Sequence, residues 1–460
     1  MRIIGILIYN LILYSALFAA VLCSPFIAWR IHRTGKYKKS LLRRLGIIAG
    51  DAPGIGPEDS VIWLHAVSVG ETLATIEFQK KLKGSFPGHK LLFTVSTETG
   101  FAVAIEKCKS ADAVLYFPMD FHFSINRFIS RFDVRAVILT ETEVWPNLIH
   151  ILNKKNIPSF IINGRISDRS FKNYIKYSFI FGPVFAMITR CMMQSALDAE
   201  RIISAGARPW SVSVAGNIKY DEISAYMSAD LAGIYGRFGY RETDVLFVAG
   251  SVHPGEDREV VDAYLAVKER HPELKMIIAP RKFDKIGLLY DYLAARGVPY
   301  EKRSELAEKK AGPSEDVMVL DTVGELVRTY AMARAVFVGG SLVDTGGHNL
   351  LEAAVFKKPV IFGPHTHNFR EMSSSFLESG AGILAENSRE LASKILYLLE
   401  LSDSGYGALS EKAYHEVAKR AGASDKIILC LQTSLNFVII MRYYHLNLFV
   451  TILIVTQNFL

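Results

Sequence analysis

Residues 61–67 form an apolar run, and from Thr72 to Leu82 the apolar positions change to helical spacing. The first pattern predicts a buried strand and the second a helix, with Gly70 permitting a sharp turn between them. Glu71 then stands at the carboxyl end of a strand, where open α/β sheets place their ligands. A helix amino-terminus carries partial positive charge and keeps such a carboxylate ionised. A general base needs that state. Capping of the helix accounts for the same residue, and both readings stand.

The alternation recurs along the chain in two series. Strands are predicted at 61–67, 91–96, 114–117, 135–140, 157–163 and 211–215, with helical patterns between them. A second series covers 245–251, 275–280, 317–320, 335–339, 359–362 and 382–385. Strands spaced by helices imply parallel sheets, so the fold class is α/β with two doubly wound domains. The polar, glycine-containing segment 217–242 is the expected connection, and no short-period repeat or low-complexity tract interrupts the pattern.

The ends of the chain read differently. No charged residue occurs from Ile3 to Trp29, and about 20 apolar residues span a bilayer core. Arg30, Arg33, Lys36, Lys38, Lys39, Arg43 and Arg44 follow, and these seven residues match the whole formal net charge of +7. The basicity is therefore a collar beside the apolar segment, not a nucleic-acid surface. It keeps the bulk of the chain on the cytoplasmic side and favours anionic headgroups. A cleaved signal peptide fits poorly, because the positive charge follows the apolar run. The segment is expected to be an anchor separable from the catalytic centre. Cys23, Cys108, Cys191 and Cys430 are far apart, which suits a reducing compartment and argues against structural zinc or a disulfide framework.

Candidate chemistry gathers at the strand ends. In the second series Gly339-Gly340-Ser341 closes a strand, and Gly346 through Glu352 opens a helix. Glycines admit a phosphate, and free N–H groups at a helix start bind it. Asn349 and Glu352, three apart, would share a helix face, where the carboxylate can accept ribose hydroxyls. Pro280-Arg281 and the loop from Ala249 to Glu256 lie at the same sheet edge and fit one composite pocket. In the first series Glu141-Thr-Glu143 places carboxylates after a strand, while Arg165 and Lys219 place cations after two more. Helix capping and solvated surface charge account equally for these residues. There is no D-x-D triplet for a metal-bound sugar nucleotide, and no metal or other cofactor is expected.

Taken together, His65–Glu71, Glu141–Asn147, Gly216–Asp221, Ala279–Arg281, Phe337–Ser341 through Glu352 and Pro359–Phe369 resemble, in order, the signature stretches of the 3-deoxy-D-manno-octulosonic acid (Kdo) transferases. The resemblance spans about residues 1–420. It implies a GT-B glycosyltransferase fold of two Rossmann-like domains with an N-terminal membrane anchor. It further implies an inverting transfer of Kdo from CMP-Kdo to a lipid A precursor (lipid IVA) in lipopolysaccharide biosynthesis, at the inner membrane and facing the cytoplasm. By the same resemblance Glu71 is the proton acceptor, and Glu141 and Lys219 stabilise the transition state. Pro280, Arg281, Gly324, Glu325, Leu326, Gly339, Gly340, Ser341, Asn349, Leu350, Leu351 and Glu352 bind CMP. Charge alone suggests Arg165, Arg169 and Lys172 as contacts for acceptor phosphates. The expected divisions are an anchor at 1–30, an acceptor-binding domain at 31–220, a CMP-Kdo-binding domain at 221–425 and an atypical hydrophobic tail at 426–460. A sugar-nucleotide 2-epimerase and a non-catalytic membrane assembly factor remain as alternatives on the same fold.

Overall fold

A computed structural model describes residues 2–34, 40–47, 54–224, 226, 230–309 and 312–436. The chain divides into two compact units, Met1–Asp221 with Gly422–Leu460, and Glu222–Ala421.

The first unit is built on β1 (Ser60–Ala66), β2 (Lys90–Val95), β3 (Ala113–Tyr116), β4 (Asp133–Thr140), β5 (Ser159–Gly164), β6 (Arg190–Met193) and β7 (Val212–Val214). They form one sheet in the order β3-β2-β1-β4-β5-β6-β7, and every pairing is parallel. Both faces are covered, which is why the strands read as unbroken apolar runs. Along β1, Val61 and Trp63 enter the core on one face, and Ile62, Leu64 and Ala66 enter the core on the other. Fully burying a side chain such as Phe93 or Phe160 is worth about 1.5–3 kcal/mol. β6, which the sequence pattern did not predict, is the short run Arg-Cys-Met-Met with no β-branched residue.

The second unit holds β8 (Leu246–Val252), β9 (Lys275–Pro280), β10 (Glu301–Lys302), β11 (Val317–Val319), β12 (Ala335–Val338), β13 (Val360–Phe362) and β14 (Gly382–Leu384). Their order is β10-β11-β9-β8-β12-β13-β14, again all parallel. The two-residue edge strand β10 is too short to leave a periodic signal.

The C-terminal segment differs from its expected form. Residues 423–436 are helical, and Ala423, Ile427, Ile428 and Leu431 are buried in one core of the first sheet. The Asp221 carboxylate accepts from the N–H groups of Gly422 (2.8 Å), Ala423 (3.2 Å) and Ser424 (2.6 Å), capping the returning helix where the chain leaves and re-enters the unit. The segment expected to be a tail from Lys426 thus begins inside an amphipathic helix, while 437–460 lie outside the described residues.

At the other end, α1 (Arg2–Leu22) is followed by a turn at Cys23 and by α2 (Ser24–Thr34), so Ser24-Pro25 divides the apolar run. Residues 4–22 are long and apolar enough to cross a membrane, with a mean hydropathy of 2.1. Of the basic collar, Lys36, Lys38 and Lys39 lie outside the described residues. Arg44 is turned into the first unit, where its guanidinium donates to Ser96 O and stacks 4.9 Å from the Tyr116 ring. That cation is therefore structural and not part of a headgroup surface.

Candidate active site

In the first unit, Ser68 takes an extended backbone (φ −114°) and caps the helix Val69–Ala74. Its hydroxyl accepts from Glu71 N–H at 3.3 Å, and the Glu71 carboxylate accepts in return from Ser68 Oγ and Val67 N–H, each at 2.8 Å. This resembles a capping box, with Val67 N–H in place of the N-cap residue's own N–H. The Thr140 hydroxyl, at the end of β4, lies 2.7 Å from His65 O and 3.2 Å from Glu71 Oε2. The capping reading of Glu71 is what the contacts display; they also immobilise its carboxylate, and the residue keeps 9% of its surface exposed. The chain turns at Val67-Ser68; Gly70 lies within the first helical turn without a positive φ, so no glycine turn is needed.

Glu141 follows β4 in the left-handed region (φ 55°), with its N–H on Ile162 O at 2.9 Å. Such a conformation is strained for a non-glycine residue and persists only where neighbours enforce it. Asn163, at the end of β5, is also left-handed (φ 53°) and starts a relay to Lys219. Asn163 Oδ1 accepts from Ile218 N–H (3.2 Å), and Gln194 Nε2 donates to Asn163 O (3.0 Å). Asn217 Nδ2 donates to Gln194 Oε1 (3.1 Å), and Lys219 N–H donates to Asn217 Oδ1 (3.0 Å). The relay leaves Lys219 Nζ 3.8 Å from Glu141 Oε1. A half-exposed pair at that distance adds under about 1 kcal/mol to stability, so its value lies in orientation. Thr142 Oγ1 donates to Arg165 O at 2.6 Å and ties the β4 and β5 loops together. Arg165, Arg169 and Lys172 are exposed, the last two on the helix Asp168–Lys176.

Glu143 belongs to this cluster and was given no role by sequence reasoning. Burial, then the charges of Glu71 and Glu141, push its carboxyl up to about 7. Burial and Glu71 also raise Glu141, against the opposing pull of Lys219 and Arg165. The signal available in the sequence was the Glu-Thr-Glu spacing, which puts both carboxylates on one short loop.

A pH dependence follows. Glu143 has a folded pKa above its unfolded value of 4.5, so its contribution to stability is full below about 4.5 and is lost as pH rises through about 7. All four tryptophans, Trp29, Trp63, Trp145 and Trp210, lie in the first unit, so tryptophan emission reports that unit. Its melting temperature should fall between pH 5 and pH 8, and Glu143→Gln should flatten the slope. An unchanged slope in the variant would remove Glu143 from the explanation.

In the second unit the glycine-rich turn is organised from within. Glu256, fully buried, accepts four backbone N–H groups: His253 (2.9 Å) and Gly340 (2.6 Å) on Oε2, Ser341 (2.8 Å) and Leu342 (2.7 Å) on Oε1. The N–H groups of Gly340 and Ser341, in the glycine turn expected to admit a phosphate, are thus occupied by a carboxylate. Gly339 is required because a Cβ there would come 2.6 Å from Ser251 O. The buried Ser341 hydroxyl donates to Val338 O (2.7 Å) and accepts from Gly363 N–H (2.8 Å). Glu256 is the organiser that sequence reasoning quoted without assigning.

The other expected CMP residues divide in the same way. The helix that opens after the turn is only Leu351–Ala354, with Leu350 and Leu351 buried. Asn349 precedes it and accepts from Leu351 N–H at 3.2 Å, so Asn349 and Glu352 do not share a helix face. Glu325 is turned inward: its carboxylate takes Arg303 Nε (3.1 Å), Arg237 Nε (3.1 Å) and Thr322 Oγ1 (2.6 Å). Burial opposes its ionisation, but Arg303, Thr322 and Arg237 outweigh that and hold the carboxyl down at about 2. Gly324, exposed, supplies a positive φ of 85°, and Leu326 starts the helix Leu326–Met332 and approaches Gly250 on β8. Pro280 ends β9; Arg281 is fixed by its N–H on Val252 O (2.8 Å) and exposes its side chain. His253 Nε2 and His348 Nε2 meet at 2.9 Å and join the β8 and β12 loops. Burial, then Arg281 and His253, push His348 down to about 4, so the pair is neutral and one ring donates to the other. Among the described residues no group of three His, Cys, Asp or Glu is arranged to hold a metal ion.

Residues 39–222 match the family model described as 3-deoxy-D-manno-octulosonic-acid transferase (kdotransferase), and residues 244–420 match the glycosyl transferases group 1 model. The chain is 30% identical to a 3-deoxy-D-manno-octulosonic acid transferase of Haemophilus influenzae, over 90% of this chain and 97% of that one. It is 35% identical to a bifunctional glycosyltransferase/methyltransferase of Fusobacterium nucleatum over 74% of this chain, a match that spans about half of that relative (52%). A UDP-N-acetylglucosamine 2-epimerase structure from Listeria monocytogenes superposes with a TM-score of 0.54 over 82% of this chain and 96% of its own. At 12% identity that likeness shows the fold alone. Two parallel seven-stranded sheets, a transferase match on each unit and a near full-length relative converge: the chain belongs to the Kdo transferase family and is a glycosyltransferase of the GT-B type.

Proposed function

We propose that the protein transfers Kdo from CMP-Kdo to a sugar hydroxyl of a lipid A precursor, with inversion, at the cytoplasmic face of the inner membrane. The observation that carries this reading is Glu71, a carboxylate clamped by its own helix start beside Thr140, Glu141 and Glu143. In the reaction the acceptor oxygen bonds to the anomeric carbon of Kdo as the bond from that carbon to the CMP oxygen breaks. The electron pair leaves with CMP, and Glu71 takes the hydroxyl proton. Lys219, oriented by Glu141, offsets the negative charge that develops on departure. The second unit binds the donor, with Arg281 as its exposed cation and the β12 turn, stiffened by Glu256, beside it.

The lipid acceptor is supported by the apolar surface of the first unit. Leu7, Leu11, Phe18, Leu22, Phe26 and Trp29 are all exposed on α1 and α2, as are Ile175, Tyr177 and Phe179 beside the cations Arg169, Lys172 and Lys176. Apolar side chains flanked by cations are the composition of a surface that inserts among anionic headgroups. A soluble epimerase has no use for it.

Purified protein supplied with CMP-Kdo and lipid IVA should yield CMP and a lipid heavier by Kdo, read by mass spectrometry. Arg281→Ala should raise KM for CMP-Kdo by about 10-fold or more, the loss expected for a charged hydrogen bond of about 1.5–3 kcal/mol. An unchanged KM would move donor recognition to other residues.

A further inference from the structure

The apolar helix is docked on the first unit through Gly5, Tyr9, Asn10 and Tyr14. Gly5, the adjacent pair Tyr9 and Asn10, and Tyr14 follow one another at steps of four to five residues, one stripe of a helix. A side chain at Gly5 would overlap the Phe179 carbonyl oxygen, so α1 and the helix Ser178–Phe185 meet backbone to backbone. Tyr9 OH donates to Asp120 Oδ2 at 2.9 Å. Asn10 and Asn147 exchange side-chain hydrogen bonds, at 2.9 Å in one direction and 2.8 Å in the other. Tyr14 packs on Phe121 with ring centroids 5.5 Å apart.

Two residues of this stripe, Tyr9 and Asn10, reach Asp120 and Asn147 at the far end of the loop that begins at Glu141. Asp120, 3% exposed, accepts from Asn147 N–H (2.9 Å) and Leu148 N–H (2.8 Å), and Asn147 Nδ2 donates to Asp120 O (2.6 Å). These N–H groups open the helix Pro146–Lys154, whose preceding residue, Trp145, provides no side-chain cap. Asp120 is therefore its cap, supplied from a distant part of the chain. The loop 141–145 is held at one end by Glu141 N–H on Ile162 O and at the other by Asp120 and Asn147. The left-handed Glu141 sits at the first of these ties, and Thr142, bonded to Arg165 O and accepting from Tyr174 OH on its own carbonyl, adds a third within the loop.

We propose that α1 is a positioning element of the transfer reaction: Tyr9 and Asn10, docked on Asp120 and Asn147, hold the Glu141–Trp145 loop in its working geometry. The membrane segment is then part of the catalytic unit and not an anchor separable from it. The inference rests on the reading that Glu141 serves the reaction, and it goes beyond that reading in making turnover depend on the seating of α1.

The test uses the full chain with detergent-dispersed acceptor, so that membrane attachment does not enter. The double variant Tyr9→Phe with Asn10→Leu should lose about 10- to 100-fold in kcat, the cost of misplacing a group from afar. KM for CMP-Kdo should stay within about twofold, since donor binding is untouched. Tyr9→Phe alone keeps the ring and removes one hydroxyl, so it supplies a folded protein with a smaller loss if the double variant does not fold. Glu141→Gln is run beside them. Full kcat in the Tyr9 and Asn10 variants while Glu141→Gln is impaired would overturn the inference and leave the site reading intact. Normal turnover in Glu141→Gln would overturn both. A kcat loss no larger than the loss of folded protein, read from tryptophan emission, would also overturn it.

Discussion

Glu71→Gln should cut turnover by about 10²–10⁴-fold, the usual cost of losing a positioned base. The amide is nearly isosteric and its oxygen still accepts one of the two donors at 2.8 Å, Val67 N–H or Ser68 Oγ, so the helix start survives. It cannot take a proton from the acceptor hydroxyl, so the loss should fall on kcat. CMP binding, assigned to the other unit, should persist in a calorimetric titration. Ser68→Ala gives an informative contrast, because it removes the hydroxyl that both caps the helix and orients the carboxylate but leaves the base itself. Its rate should fall less than that of Glu71→Gln. Turnover close to wild type in Glu71→Gln would assign the base elsewhere, and Glu143, whose carboxyl burial and its neighbours push up to about 7, would be the next residue to test.

The second large effect is expected at Glu256. Each carboxylate oxygen serves two N–H groups, so a glutamine at this position must turn its NH₂ toward one of the two pairs. Two buried N–H groups then lose their acceptor, at about 1–3 kcal/mol each. The sum of about 2–6 kcal/mol is a large part of the 5–15 kcal/mol that holds a typical domain folded. Glu256→Gln should therefore lower the denaturation midpoint of the second unit, read by circular dichroism, with little change in tryptophan emission from the first. CMP binding should weaken with it, because the loop 339–342 loses its centre. Glu256→Asp should not rescue either property, being one methylene too short to reach all four donors. A wild-type midpoint and wild-type CMP affinity in Glu256→Gln would show that the turn is held by its own backbone.

The sheets were legible because parallel strands buried on both faces read as apolar runs, and helices of ten or more residues impose their own period. The exceptions, β6 and β10, have four and two residues and lack the composition that marks a strand. The site was legible as a set of residue types at strand ends: Glu71, Glu141, Lys219 and Arg281 all stand just beyond a strand or a turn following one. Less legible was the use of each polar group. Gly339 and Gly340 marked a turn that could admit a phosphate, and nothing local says that the Glu256 carboxylate already takes the N–H groups there. Glu325 was named for CMP only through the family resemblance, and nothing local says that Arg303 and Arg237 already hold its carboxylate.

The sequence by itself determined the period of each element, the parallel architecture, the apolar first helix and the kinds of chemistry carried by the loops. These follow from local spacing and composition, which the chain states residue by residue. Only the tertiary structure decided the partners. Glu256 meets its three donors on the β12 turn across 84, 85 and 86 residues. Tyr9 meets Asp120 across 111 and Asn10 meets Asn147 across 137. The helix 423–436 returns to a sheet whose last strand ended at Val214. Such pairings depend on loop closure and on the packing of whole layers, and a buried polar group takes whichever partner that packing delivers.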